Sequence, residues 1–138
     1  MNILKIFLGL GLVMGFVMAL SGIAFADAVP AVYLTNPQNN TNGTANPVDL
    51  HFFANDVEDS TLTCYLYVTD ELSSLGWNPA NYVFIHRQTM NNVPVNQVSY
   101  FTYTFPSAGS YEWTIRCDDS FGNQKWADWF VRSVHVQS

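Results

Sequence analysis

The feature that most constrains this chain is an alternation of apolar and polar residues with a period of two. The clearest run is SYEWTIRC, residues 110–117, in which every second side chain from Tyr111 to Cys117 is apolar. Such alternation is typical of a β-strand with one buried face and one wet face. Gly, Pro, Asn and Asp separate the runs, and helical periodicity is almost absent after residue 26. The domain is therefore predicted to be all-β.

About seven short strands follow one another along the chain. The predicted strands are residues 32–35, 48–54, 61–68, 82–87, 98–105, 110–117 and 126–136. The strand at 82–87 is expected at a sheet edge, and the last strand is expected to bulge at residues 129–131, where the alternation breaks. Short strands at this spacing predict an antiparallel β-sandwich of two packed sheets.

Two segments between the predicted strands have no strand pattern. Residues 37–47 are polar and are bounded by Pro37 and Pro47, so they are predicted to form a linker. Residues 69–77 are predicted to form one helical turn, with Thr69 or Asp70 as its cap and Gly76 as its end.

The first 26 residues are predicted to be a secretory signal peptide containing a hydrophobic helix. Lys5 precedes an uncharged apolar run, and Ala24 and Ala26 form an A-x-A pattern with the cut before Asp27. The competing interpretation is an uncleaved membrane anchor, because the apolar run approaches the ~20 residues that a membrane span needs. Residues 27–138 would then form one exported domain.

The charge of the chain limits its partners. Five basic residues, one of them Lys5, stand against eleven acidic residues. A chain this acidic repels phosphate backbones, so nucleic acid is not expected as a partner. Membrane contact is expected only through the N-terminal segment, if that segment stays uncleaved.

The chain has two cysteines, Cys64 and Cys117, and both lie in the part predicted to be exported. An even pair of cysteines in an oxidising compartment predicts a disulfide. A metal site is the competing interpretation, but neither cysteine belongs to a C-x-x-C motif or lies beside paired histidines.

Two stretches of the chain resemble the immunoglobulin-like or fibronectin-III-like modules of prokaryotic, notably archaeal, cell-surface proteins. One covers about residues 36–68, with an Asn-Pro turn, an Asn-Gly-Thr run, an aspartate-bearing turn and a cysteine in the next strand. The other covers residues 107–136, with a Y-x-W-x-I-x-C strand before an acidic turn that closes on Gly-Asn. Residues 69–96 depart from the pattern. The matching positions are Leu34, Pro37, Asn42, Gly43, Asp56, Cys64, Tyr111, Trp113, Ile115, Cys117, Asp118, Gly122 and Asn123.

The resemblance implies an immunoglobulin-like (Greek-key) sandwich exposed at the cell surface. With the strands labelled in that order, Cys64 lies in the third strand and Cys117 in the sixth, which are neighbours in one sheet. An alternative labelling makes residues 61–68 the second strand. The disulfide then crosses between the sheets, and Trp77 takes the place of the buried tryptophan of antibody domains.

The acidic turns are a candidate calcium site. Residues 56–59 and 118–123 emerge at the same end of this sandwich, so their carboxylates can converge, and calcium prefers such oxygen ligands. The alternative interpretation is that these acidic residues only stabilise turns. The candidate ligands are Asp56, Glu58, Asp59, Asp118 and Asp119. No other cofactor is expected.

Aromatic side chains form a candidate partner-binding face. Tyr65 and Tyr67 point outward from residues 61–68, and Trp126 or Trp129 of the last strand can join them. Stacked rings on a sheet suit a sugar or a protein partner. Cross-strand pairing that only stabilises the sheet is the alternative.

Asn39 and Asn42 head the sequons NNT and NGT in the predicted linker, where a glycosylating enzyme has access. No catalytic motif is found, and His51, His86 and His135 fall on separate predicted strands.

We therefore predict a secreted, non-catalytic surface module that serves adhesion or structural assembly by binding a protein or a glycan. The alternative is self-assembly as a pilus-like filament subunit. Residues 29–35 would then complete a neighbouring subunit's sheet by strand addition.

Overall fold

The computed structural model describes residues 27–128 and 131–137. This part of the chain is all-β, with nine strands and a short 3-10 helix at Pro79–Asn81. The all-β prediction is confirmed. The strands are β1 (Ala31–Asn36), β2 (Thr41–Thr44), β3 (Val48–Asn55), β4 (Thr61–Val68), β5 (Ile85–Pro94), β6 (Gln97–Tyr103), β7 (Gly109–Asp118), β8 (Gln124–Trp126) and β9 (Arg132–Val136).

The strands form two sheets. One sheet has the order β1-β3-β6, and the other has the order β2-β9-β7-β4-β5, with β8 also paired to β7. Neighbouring strands run antiparallel, except that β2 runs parallel to β9. The prediction of antiparallel sheets is thus confirmed for the described residues.

The core lies between the two sheets and follows from the alternation in the sequence. Every second residue of β3, from Val48 to Ala54, is buried, and so is every second residue of β4, from Leu62 to Val68. Trp113 of β7 has no exposed surface and belongs to the same cluster of buried residues. Apolar side chains of facing strands therefore leave water together, which is the main favourable term in folding.

The predicted linker contains a strand that the sequence analysis missed. Thr41–Thr44 (β2) pairs in parallel with β9, with Thr41 opposite Val134. Gly43 has a φ of 71°, a left-handed conformation that glycine adopts without steric cost. A polar strand of this length with a glycine inside it has no alternation that a sequence pattern can show.

The region after β4 also differs from the prediction. Residues 72–77 form consecutive turns, in which the Leu75 and Gly76 amides bond to carbonyls three residues earlier, and not a helical turn capped at Thr69 or Asp70. The predicted strand at 82–87 begins later and runs longer, as β5, and it lies at a sheet edge as expected.

Two other predictions fall at the limits of the described residues. The predicted last strand is divided into β8 and β9, and the expected bulge falls mostly on residues 129 and 130, outside the described residues. The predicted signal segment, residues 1–26, also lies outside them. Within the ranges that are described, no helix has the length and apolar character needed to cross a bilayer.

Candidate binding face

The disulfide fixes the central pair of strands. Cys64 of β4 and Cys117 of β7 lie directly opposite each other, and their sulfur atoms are 2.07 Å apart. The bond therefore lies within one sheet, as predicted by the labelling that makes residues 61–68 the third strand. The alternative labelling, with a bond between sheets, is wrong. Trp77, which that labelling placed in the core, is 56% exposed.

Three of the four predicted partner-binding aromatics come together on the outer surface of β4, β7 and β8. Arg116 of β7 lies between Tyr65 of β4 and Trp126 of β8 in the strand register. The ring centroids of Tyr67 and Trp126 are 4.7 Å apart. We call Tyr65, Tyr67, Arg116 and Trp126 the aromatic face. Trp129, the fourth predicted residue, lies outside the described residues.

Arg116 organises this face. The central carbon of its guanidinium lies 4.7 Å from the ring centroid of Tyr65 and 5.8 Å from that of Trp126. Its Nε and Nη2 donate to the carboxylate of Asp118 at 3.1 and 3.3 Å. The Arg116 guanidinium stacks on the rings and is held by the Asp118 carboxylate, so few rotamers remain open to it. Because the rings pack against this fixed cation, their positions are preorganised. The outward parity of Arg116 in the sequence placed it beside Tyr65 and Tyr67, but it was not among the predicted binding residues.

His86 extends the aromatic face onto β5. Its ring centroid lies 5.7 Å from that of Tyr65 and 5.5 Å from that of Tyr67. Its Nε2 is within hydrogen-bond distance of the Gln88 carbonyl oxygen, at 3.0 Å, and of the Thr89 hydroxyl, at 2.9 Å. The predicted strand at 82–87 contained this histidine, but the pairing of β5 with β4 was needed to place it.

A groove opens beside Trp126. Its volume is about 480 Å³, and the Trp126 ring, 46% exposed, forms part of its wall. The groove is mostly apolar, with one hydroxyl. Its lining residues are Phe84, Thr114, Trp126, Ala127 and Val131. Such a concave apolar surface beside a half-exposed ring can take up an apolar group from a partner.

The two acidic turns do meet, as predicted. The Asp59 carboxylate accepts hydrogen bonds from the Ser120 amide at 2.7 Å and from the Ser120 hydroxyl at 2.8 Å. Asp56 is buried, and one of its oxygens accepts the amides of Glu58 and Asp59 at 2.8 and 2.7 Å. Through these hydrogen bonds the Asp56 and Asp59 carboxylates stabilise the two turns.

The remaining candidate calcium ligands also have protein partners. Asp118 holds Arg116, and Glu58 accepts the amide of Ala28. Asp119 accepts the amides of Phe121 and Asn123; burial opposes ionisation, but the hydrogen bonds from Asn123 and its neighbours keep the pKa of Asp119 below its usual value. Within residues 27–128 and 131–137, no three His, Cys, Asp or Glu side chains are grouped to hold a metal ion. The calcium site thus has no geometric support there.

Asp27 joins this acidic end. The side-chain amide of Asn123 donates to its carboxylate. A hydrogen bond with Glu58, together with burial and the nearby charge of Asp119, raises the pKa of Asp27 to about 6. The turns therefore place several carboxylates close enough to repel one another.

The two sequons differ in their surroundings. The Asn39 side-chain oxygen accepts the Ser133 amide at 2.9 Å, which ties Asn39 to β9. Asn42 is exposed in β2. Asn42 is therefore the more accessible of the two predicted glycosylation sites.

Comparisons with known proteins show no family for this chain. No family model matches the chain, and no curated protein matches it. Among solved structures, it is similar to a superoxide reductase (neelaredoxin) from Ignicoccus hospitalis, at 13% sequence identity and a TM-score of 0.44. That match covers 81% of this chain and 83% of the other.

The matched structure is that of an enzyme, and this finding contradicts the prediction that the chain is not an enzyme. That prediction is withdrawn. At this TM-score the match carries no argument about an activity, a substrate or a metal in this chain.

Proposed function

We propose that this chain is an immunoglobulin-like (Greek-key) domain of the cell surface that binds a partner protein through its aromatic face. The observation that carries the proposal is the half-exposed Trp126 ring, which lies between the stacked Arg116 and an apolar groove. The fold, the location and the binding mode are supported by separate observations.

The strand order supports the immunoglobulin-like fold. A sheet of three strands, β1-β3-β6, faces a sheet containing β9-β7-β4-β5, as in sandwiches of this class. The Tyr111 hydroxyl, near the start of β7, donates to the Ser107 carbonyl at 3.0 Å. This bond resembles the tyrosine corner of such domains, although Tyr111 lies six residues before Cys117 and not two. The disulfide within one sheet is a departure from antibody domains, in which the bond joins the two sheets.

The disulfide and the N-terminal segment support export. Disulfides persist in oxidising compartments, and Cys64 and Cys117 are bonded. The apolar run and the A-x-A pattern before Asp27 are those of a secretory signal. A location outside the cell gives an adhesive or assembling domain access to its partners.

The composition of the aromatic face supports binding to a protein. Trp, Tyr and Arg are the residues that most often dominate the binding energy of protein interfaces. Because Arg116 is held by Asp118 and by the rings, little side-chain entropy remains to be lost on binding. The groove is lined mainly by Phe84, Ala127 and Val131. This lining suits an apolar side chain of a protein better than it suits the hydroxyl groups of a glycan.

The position of β1 argues against the filament alternative of the sequence analysis. β1 pairs with β3 of its own chain, and Val32 and Leu34 are buried in its own core. Donating residues 29–35 to a neighbour would remove both side chains from the core. We therefore keep partner binding as the proposal.

The proposal is tested by binding of the purified protein to envelopes of the cells that produce it. Trp126→Ala should weaken binding about tenfold or more, because hot-spot truncations cost at least this much. Phe121→Ala is the matched control, since Phe121 is also an exposed aromatic residue but lies on the β7–β8 turn. Equal binding by the wild type and by Trp126→Ala would overturn the proposal. Protease treatment of the envelopes should abolish binding. If periodate treatment abolishes it instead, the ligand is a glycan.

A further inference from the structure

The β6 edge of the three-stranded sheet is open. Within residues 27–128 and 131–137, β3 is the one strand that pairs with β6, in a register that runs without interruption from Val48–Tyr103 to Ala54–Gln97. The opposite edge of the sheet, β1, is covered. The Asp128 amide donates to the Val32 carbonyl at 2.8 Å, and the Arg132 guanidinium donates to the Thr35 carbonyl at 2.9 Å.

Two hydrogen bonds fix which backbone groups of β6 face outward. The Asn96 amide donates to the Ala54 carbonyl at 2.8 Å, so Ala54 presents its backbone groups to β6. The Gln88 side chain donates to the Thr102 carbonyl at 3.2 Å, so that carbonyl points away from β3. Backbone groups alternate in direction along a strand. Val98 and Tyr100 therefore point their amides and carbonyls outward, as Thr102 does.

The other sheet edges carry devices that discourage strand pairing, whereas β6 carries none beyond the Gln88 side chain at its Thr102 carbonyl. β2 has four residues, and β5 ends in Pro94 and shifts register twice against β4. Short strands, prolines and bulges are the usual protection of an edge. Residues 97–103 contain no proline and no charge. Val98 and Tyr100 are 53% and 51% exposed on the outer face of the sheet.

We propose that β6 pairs antiparallel with the β6 of a second copy of this chain, about a two-fold axis at Ser99. Val98 of one copy then lies opposite Tyr100 of the other, and each such pair exchanges two main-chain hydrogen bonds. Thr102 keeps its bond to Gln88. The valine and tyrosine side chains meet across the new strand pair, a combination that stabilises sheets.

The uncharged edge of β6 and the groove beside it favour a second copy of this chain as the partner strand. The chain has a net charge of −6, so two copies repel each other over most of their surfaces, but residues 97–103 present no charge. An antiparallel copy offers the same donors and acceptors in reverse order, so the edge is complementary to itself. A groove of about 690 Å³ between β5 and β6, lined in part by Met90, Ser99 and Phe101, leaves space beside the incoming strand.

This dimer would leave the aromatic face free. The aromatic face lies on the outer surface of β4, β7 and β8, whereas β6 belongs to the other sheet. One dimer would therefore present two aromatic faces, and its avidity for a multivalent surface would exceed that of one domain. The dimer itself does not depend on the proposed function.

A cysteine placed at the axis tests the geometry. In the full chain, expressed and purified under oxidising conditions, Ser99→Cys should form a covalent dimer, because the two cysteines would be directly opposite. Thr102→Cys is the matched control on the same strand. Its two copies would be six residues apart along the strand, about 20 Å, so it should form no covalent dimer. Equal cross-linking at both positions, or none at position 99, would overturn the proposal.

Sedimentation of the wild-type chain, with its disulfide intact, provides the second test, since a reversible dimer should strengthen as salt screens the repulsion. Tyr100→Pro removes an outward amide that β3 does not use and should weaken the dimer about tenfold or more. Tyr100→Thr keeps that amide and should retain the dimer. Val98→Lys, at an exposed position, should also weaken the dimer if Tyr100→Pro fails to fold. A wild type that stays monomeric at high salt, or a dimer insensitive to both Tyr100→Pro and Val98→Lys, would refute the pairing.

Discussion

The side chain of Asn46 pairs with the backbone of Phe105 as a neighbouring strand would. Its Nδ2 donates to the Phe105 carbonyl at 2.8 Å, and its Oδ1 accepts the Phe105 amide at 2.9 Å. Phe105 is buried, and its ring packs against those of Tyr103 and Tyr111. One amide side chain thus satisfies two backbone groups where the chain leaves β6.

Asn46→Ala should destabilise the domain by about 1–3 kcal/mol, because it leaves the partly buried amide and carbonyl of Phe105 without protein partners. The free energy of unfolding in urea measures this loss. Asn42→Ala, at an exposed position in β2, is the control and should change stability by less than about 0.5 kcal/mol. Equal effects of the two substitutions would mean that water replaces the Asn46 amide.

Trp113→Ala should cost about 3–5 kcal/mol, because it removes a large buried side chain and leaves a cavity between the sheets. Trp113 has no exposed surface, whereas Trp77 is 56% exposed. Trp77→Ala should therefore change stability little. Chemical denaturation of both variants measures the difference, and a Trp113→Ala cost below about 1 kcal/mol would contradict the burial of this ring.

The strands that sequence analysis located best are those with one buried face. Residues 61–68 were predicted as a strand and form β4, and residues 110–117 fall within β7 (Gly109–Asp118). In both strands the apolar side chains recur at every second position, so the pattern and the burial have one physical cause. Cys64 and Cys117 occupy buried positions of the same pattern, which is consistent with the disulfide predicted from the even pair.

The strand that the sequence did not reveal, β2, is stabilised by backbone pairing and not by buried side chains. β2 consists of Thr41–Thr44 and pairs with β9 through main-chain bonds, so no alternation marks it.

The aromatic face could also be predicted only in part from the sequence. The outward parity of Tyr65 and Tyr67 was visible in the sequence. The stacking of Arg116 on Tyr65 depends on a register between strands far apart in the sequence.

Removal of the disulfide by Cys64→Ala with Cys117→Ala should lower stability by about 4 kcal/mol on the chain-entropy model, for a sequence separation of 53. Intact mass of the exported wild type should be two hydrogens below that of the reduced chain. Two titratable thiols in the native exported protein would contradict the bond.

Millimolar calcium should leave the melting temperature where sodium chloride of equal ionic strength leaves it. The carboxylates of Asp59 and Asp118 already accept hydrogen bonds from protein groups, and binding of an ion would have to displace some of these contacts. Screening alone then acts on the melting curve. A saturable rise with calcium that Asp118→Asn abolishes would restore the calcium site.

The acidic end should make the domain less stable as the pH rises towards neutrality. A hydrogen bond with Glu58, burial and the charge of Asp119 raise the pKa of Asp27 from 3.8 to about 6 in the folded chain. Between these two values the folded state binds more protons than the unfolded state, so the free energy of unfolding falls as the pH increases.

This contribution to stability is present below about pH 4 and is lost by about pH 7. Asp27→Asn has no proton to lose at this position, so its stability relative to the wild type should be greater at pH 7 than at pH 4. Unfolding in urea at both pH values measures the difference. Glu58→Gln should likewise be more stable relative to the wild type at pH 7 than at pH 4, because it removes the hydrogen bond that raises the pKa of Asp27. Since the two carboxyl groups share that hydrogen bond, the gain in stability of the double variant should be smaller than the sum of the two single gains. A difference between Asp27→Asn and the wild type that does not change with pH would show that Asp27 titrates alike in the folded and unfolded chains.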